Sequence, residues 1–173
     1  MSLSVNRRLV YTALLMALGL VLSTAFHFLP VSGLIFLPMH IPVLICGLIC
    51  GAGYGVACGV AVPLLSHLVL GMPLAFILPQ MVFELAAYGL IAGLLIRFVQ
   101  TKKSYANIYI ALIGAMLIGR LAFGAANVLY FQTGAYTVNM WLAAAFVTAL
   151  PGIVIQIVMI PPLVIALRKA GLA

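Results

Sequence analysis

One carboxylate, Glu84, faces eight Lys/Arg in 173 residues, and it stands in an apolar run. An ionisable side chain inside a bilayer costs about 2.5–3.5 kcal/mol on insertion scales, so each is a functional candidate by default. Gln80 and Tyr88 stand four residues before and after Glu84, on the same face of a helix. Arg120, Phe123, Asn127 and Tyr130 fall at i, i+3, i+7 and i+10, a second single stripe. A carboxylate or guanidinium in a pocket would orient a small polar ligand, on which Phe123, Tyr130 and Trp141 would stack. Covalent and metal chemistry is poorly supplied. The chain has no HExxH and no G-x-S-x-G, and one carboxylate cannot make a pair. Ser66 and His67 are adjacent, so on a helix their side chains diverge by about 100° and form no dyad. Cys46, Cys50 and Cys58 show no CxxC spacing and read as small buried hydrophobes. No catalytic residue and no metal ligand is expected.

These residues sit in a chain that is 67% apolar and 5% charged. Soluble domains average about 45–50% and about 25%. A soluble fold of this size needs a polar coat over roughly a third of its surface, and this composition cannot supply one. The chain reads as an all-α integral membrane protein, a single membrane domain over residues 1–173. The net charge of +7 does not indicate nucleic acid. Arg7/Arg8, Arg97/Lys102/Lys103 and Arg168/Lys169 cap the ends of apolar runs, a positive-inside pattern. The first run is about as long as a bilayer span and has no A-x-A site, so it reads as a retained helix, not a leader.

Span counting turns on residues 41–70, which carry no charge. Taken as one helix, they give five spans and place Lys102/Lys103 opposite Arg7/Arg8. Broken at Gly51-Ala52-Gly53-Tyr54-Gly55, they give six, and all the terminal and loop cations share one side. The glycines supply the turn. Six spans are expected near 9–28, 38–51, 54–70, 79–98, 107–131 and 139–168, the second short, with both termini cytoplasmic. The outward loops are then Leu29–Met39, Gly71–Leu78 and Gln132–Val138, free of Lys and Arg, and able to fold inward as a lid. Gly47, Gly51, Gly55 and Gly59 recur every four residues and predict close helix packing.

In this frame the polar side chains gather in the outer half. At ~1.5 Å per residue, Glu84 lies roughly 8 Å deep, Asn127 roughly 6 Å, and Arg120 nearer the middle, about 8 Å from Glu84. His40, His67, Asn139 and Trp141 flank outward loops. Apart from Gln156 and small hydroxyls, the inner half is apolar. A channel or proton relay would spread polar groups through the whole thickness. A chamber open outward and floored by Arg120 fits the pattern. The plainer alternatives are a structural Glu84–Arg120 pair, interfacial histidines, an aromatic belt, and an interhelical hydrogen bond from Asn127.

Arg7-Arg8-Leu9-Val10 leading into Ala13-xxx-Ala17, then Leu37-Pro38-Met39-His40-Ile41-Pro42, Gly71-Met72-Pro73, and Phe83-Glu84 with Tyr88-Gly89 resemble the substrate-binding S components of energy-coupling factor (ECF) vitamin transporters. The resemblance spans nearly the whole chain. It implies a six-helix bundle in a bacterial plasma membrane that binds a vitamin or precursor from outside. It also implies docking through Ala13 and Ala17 on a membrane T component driven by two ATPases, with the first outward loop as a gate. The chain has no GxxxxGK[ST] loop, which agrees with ATP being used by partner subunits and with no cofactor in this chain. Two ligand classes stay open. A pyridoxine- or hydroxymethylpyrimidine-like heteroaromatic suits Glu84, His40 and the aromatics, and pantothenate suits Arg120 with Asn127. The rival class is a proton-coupled small-molecule transporter, and a purely structural subunit is the remaining reading.

Overall fold

The computed structural model describes residues 3–27, 35–101, 103–131 and 138–171; the side chains of Tyr130, Phe131, Val138, Met140 and Ala145 fall outside the description. Lys102 and most of the first and third outward loops lie outside the described residues, so the gate assigned to the first loop does too. The helices are α1 (Val5–His27), α2 (His40–Cys50), α3 (Ala52–Leu70), α4 (Leu78–Phe98), α5 (Ser104–Phe131), α6 (Val138–Leu142) and α7 (Leu150–Lys169), with a π-helical segment Ala143–Thr148 before α7.

Five of these (α1, α3, α4, α5 and α7) are long and apolar enough to cross a bilayer. With 11 residues, α2 reaches only about 16 Å, roughly half of a ~30 Å hydrocarbon layer. The uncharged run 41–70 divides at Gly51, whose φ of 100° is open to glycine and strained for other residues. Gly71 ends α3 in the left-handed conformation, its N–H donating to the His67 carbonyl. Where the sequence predicts one helix over 139–168, the structure has two joined by the π-helical segment. Pro151 stands in the first turn of α7, where its missing N–H is tolerated, so α7 begins there rather than continuing the preceding helix.

Contacts along the helices fix their directions. Arg8 reaches Gly51, Thr12 Oγ1 lies 3.6 Å from Cys46 Sγ, and Gly19 abuts Pro42, so α1 runs antiparallel to α2. Gly59 faces Leu85, Gly55 faces Gly89 and Gly93 faces Ala52, so α3 runs antiparallel to α4. Gly114 under Leu95 and Gly119 under Tyr88 set α5 antiparallel to α4. Arg168 donates to the Leu48 carbonyl at 3.5 Å and Gly152 abuts Ile35 and Phe36, so α7 runs parallel to α2. The rods therefore alternate, with α1, α3 and α5 opposed to α2, α4 and α7. Arg7, Arg8, Arg97, Lys103, Arg168 and Lys169 all come to one end of the bundle, which holds both the start of α1 and the end of α7.

Packing is inside-out in the manner of a lipid-bathed protein. Leu9, Leu14, Leu68, Phe83, Leu121, Leu129 and Val158 face outward. The interior at the basic end is apolar: Val43, Leu44, Ile45, Ala92, Ile108, Leu112, Ala115, Ile160 and Val164 form one cluster. Without a hydrophobic drive between helices, close backbone approach carries the association. Gly47 and Gly55, on different helices, both press on the Gly89 carbonyl, and Gly59 presses on Leu85. The four-residue glycine series thus divides by role, since Gly51 makes the turn and the other three pack on α4. Thr12, Ser23 and Thr24 return their hydroxyls to carbonyls four residues back, satisfying themselves within α1.

A methyl group at Gly89 would collide with the Gly55 backbone, whereas one at Gly53 would meet nothing within 4 Å. Gly89→Ala is expected to destabilise the bundle by about 1–3 kcal/mol or more, and Gly53→Ala to leave it unchanged or firmer. Thermal unfolding of the purified proteins in detergent checks the contrast.

Candidate functional site

Gln80, Glu84 and Tyr88 line one face of α4 and are 1%, 3% and 0% exposed. Burial of three polar side chains in successive turns has to be answered from neighbouring helices. α5 answers with Arg120, whose Nη1 lies 2.9 Å from Glu84 Oε1, and α2 answers with His40, whose Nε2 lies 3.5 Å from the same oxygen. The His40 ring stands edge-on to Tyr88, centroids 5.0 Å apart at 88°. Leu37, buried with φ 51°, turns the chain into α2, and His40 N–H donates to its carbonyl.

The Glu84–Arg120 contact corrects the depth reading. Gly119 lies beneath the Tyr88 ring, which sets the Arg120 backbone about one turn, roughly 5 Å, below Glu84. An arginine side chain spans that offset toward the end away from the cations, although helical side chains lean the other way in α5. The two charges neutralise each other inside the bundle, so neither stands as an isolated buried ion.

The pair does not exhaust the site. His40 Nδ1 and Nε2, both carboxamide atoms of Gln80, the Tyr88 hydroxyl, and Arg120 Nε and Nη2 are buried without a hydrogen-bond partner. Buried polar groups in proteins are nearly always bonded, and each one left unmade costs about 1–3 kcal/mol. Seven such atoms on three facing helices form one buried layer of unspent hydrogen-bonding capacity.

Two further residues carry the same signature. Gln156 is 0% exposed, with both amide atoms unpartnered, on the interior stripe of α7 between Gly152 and Ile160. The parallel register of α7 with α2 carries it to the level of the first turn of α2, where His40 stands. The sequence sets Gln156 apart from the polar layer, whereas the register brings it level with His40. A lone carboxamide in an otherwise apolar helix was the available signal. Ser66 is buried with a free hydroxyl, and the α3–α4 register sets it level with the first turn of α4.

Other predicted residues are otherwise engaged. Asn127 is buried, but its Nδ2 donates to the Phe123 carbonyl of its own helix at 2.8 Å, while Phe123 is half-buried. Trp141 is half-buried over Gly124, with Nε1 donating to the Arg120 carbonyl at 3.2 Å and its ring edge-on to Phe146. It thereby braces the backbone that carries the guanidinium. His67 Nδ1 bonds the Pro73 carbonyl at 2.7 Å, which ties down the turn after α3 and takes His67 out of the Glu84 cluster. Asn139 is exposed. The side chain of Tyr130 lies outside the described residues. Among the described residues, no group of three His, Cys, Asp or Glu is placed to hold a metal. Ala13 and Ala17 lie exposed on α1, away from the Thr12–Gly19–Ser23 face that packs inward.

Removing one member of the buried pair strands the other. Arg120→Met is expected to cost about 3–5 kcal/mol, whereas Glu84→Leu combined with Arg120→Met should recover much of that loss. A double-mutant cycle by thermal unfolding reads the coupling; additive losses would show that the two charges do not sense each other.

A layer of buried, unpartnered polar side chains thus lies at one end of the antiparallel bundle, with the cations gathered at the other. The family model for the substrate-specific component of ECF transporters matches residues 7–164. No curated protein and no solved structure matches the chain. With nearly its whole length matched, the chain belongs to the substrate-specific components of ECF transporters, membrane subunits that bind the transported small molecule.

Proposed function

We propose that this chain is the vitamin-binding receptor of an ECF uptake system in a bacterial plasma membrane, crossing it six times with both termini in the cytoplasm. The observation that carries the reading is the layer of buried, unpartnered polar atoms around Glu84 and Arg120. The cations at the opposite end support the orientation, because Lys and Arg favour the cytoplasmic side. The short α2 crosses through local thinning and cover from its neighbours. Ligand enters from the extracytoplasmic end. A T component docks on the exposed Ala13-xxx-Ala17 surface of α1, where small side chains admit a second helix, and two ATPases supply the energy.

The favoured ligand is a pyridoxine- or hydroxymethylpyrimidine-like heteroaromatic. Glu84 already neutralises Arg120 at 2.9 Å, so an uncharged guest enters without leaving a charge unpaired. Pantothenate is the second reading. It rests on the free Nε and Nη2 of Arg120, which together could grip a carboxylate.

Trp141 is the single tryptophan and bonds the Arg120 carbonyl, so its fluorescence reports on the chamber. Titration with pyridoxine or hydroxymethylpyrimidine is expected to shift that signal saturably, and Glu84→Gln to weaken binding about 10- to 100-fold. A response to pantothenate alone, lost in Arg120→Ala, would select the second reading. Replacing Ala13 and Ala17 with Leu is expected to leave that titration unchanged while abolishing uptake in cells that carry the ECF module. Uptake that survives ATP depletion but collapses with a proton uncoupler would contradict the ATP-driven scheme.

A further inference from the structure

Gln80 and Gln156 are the two carboxamides of the polar layer, 1% and 0% exposed, and all four of their polar atoms lack partners. They stand on different helices, α4 and α7, so no local backbone need explains both. Neither is used by the Glu84–Arg120 pair. A carboxamide is unusual among side chains in presenting one acceptor and one donor side by side in a plane. Its complement is a flat edge with the same two functions reversed, as when Asn or Gln reads the amino group and ring nitrogen of adenine together. A carboxylate, which only accepts, would leave the carbonyl oxygen of each carboxamide unmet, at about 1–3 kcal/mol per stranded group.

Resting on the receptor reading above, we infer that Gln156 is a specificity-determining residue that selects heterocycles with an amidine or cyclic-amide edge. That edge pairs a ring nitrogen with an adjacent amino group, or a ring N–H with an adjacent carbonyl. Gln156 grips it from α7, at the level where His40 begins α2. The same demand explains the placement on α7. Gly152 and Ile160, four residues to either side, pack on the segment before α2 and in the apolar core, so the intervening position is held in the interior whether or not a guest is present. An aliphatic residue would satisfy that position better if packing were its whole purpose.

The test compares 4-amino-5-hydroxymethylpyrimidine, its 4-deamino counterpart and pyridoxine as probes, titrated into the purified full chain in nanodiscs. Wild type is expected to prefer the amino compound over the deamino compound by about 10- to 100-fold, the worth of one good bidentate pair. Gln156→Met, close in volume, should bring the two within about threefold, with thermal stability equal to wild type or higher. Gln156→Leu repeats the comparison if the first variant folds poorly. Equal wild-type affinity for the amino and deamino compounds overturns the inference, and so does an amino preference that survives both substitutions. Binding of pyridoxine alone overturns it while leaving the receptor reading standing. Failure of all three probes, with binding of pantothenate, overturns it together with the heteroaromatic reading.

Discussion

A lone carboxylate inside an apolar bundle has to be neutralised from another helix, and that requirement organises this protein. Glu84 is the sole carboxylate side chain of the sequence, so it has no acidic neighbour to share a proton with, and it is 3% exposed. Its oxygen meets Arg120 at 2.9 Å across the α4–α5 interface and His40 at 3.5 Å across the α2–α4 interface. The three helices therefore meet at one point, α4 and α5 through the ion pair and α2 through the His40 ring beside it. Trp141 reinforces the point from α6 by bonding the backbone carbonyl of Arg120.

That junction can exist only because the helices approach closely beneath it. Gly47, Gly55 and Gly59 let α2 and α3 press on the backbone of α4, and Gly119 opens room on α5 for the Tyr88 ring. The glycine contacts and the apolar cluster form the closely packed part of the bundle, and the polar layer adjoins it. The consequence is a division of labour along the axis. The basic end holds the apolar contacts and gathers the cations, whereas the other end keeps hydrogen-bonding capacity in reserve.

Much of this was readable from residue order. The apolar excess and the cation placement indicated a membrane bundle, the glycines near residue 51 located the break before α3, and the spacing of Gln80, Glu84 and Tyr88 defined one face of α4. The family resemblance rested on short motifs and is met by a match over residues 7–164. What residue order could not supply was the offset between antiparallel helices. Depth counted from helix ends set Glu84 and Arg120 too far apart, because the register is decided by which glycine meets which backbone. The same missing register left Gln156 outside the polar layer. His67 and Asn127 were legible as polar residues near span ends, but their partners, the Pro73 and Phe123 carbonyls, depend on a turn and on a rotamer. The interruption before α7 was hidden because Ala143–Thr148 is as apolar as a regular helix would be.

The account stands on the polar layer being a chamber for a guest. Native mass spectrometry of the protein released from detergent, purified without any added small molecule, tests this most directly. The prediction is a bound adduct with the mass of a small polar heterocycle on wild type, absent from the folded Glu84→Leu/Arg120→Met double variant. A wild-type protein that competes for no adduct in cell extract, or one whose adduct persists unchanged in the double variant, would contradict it.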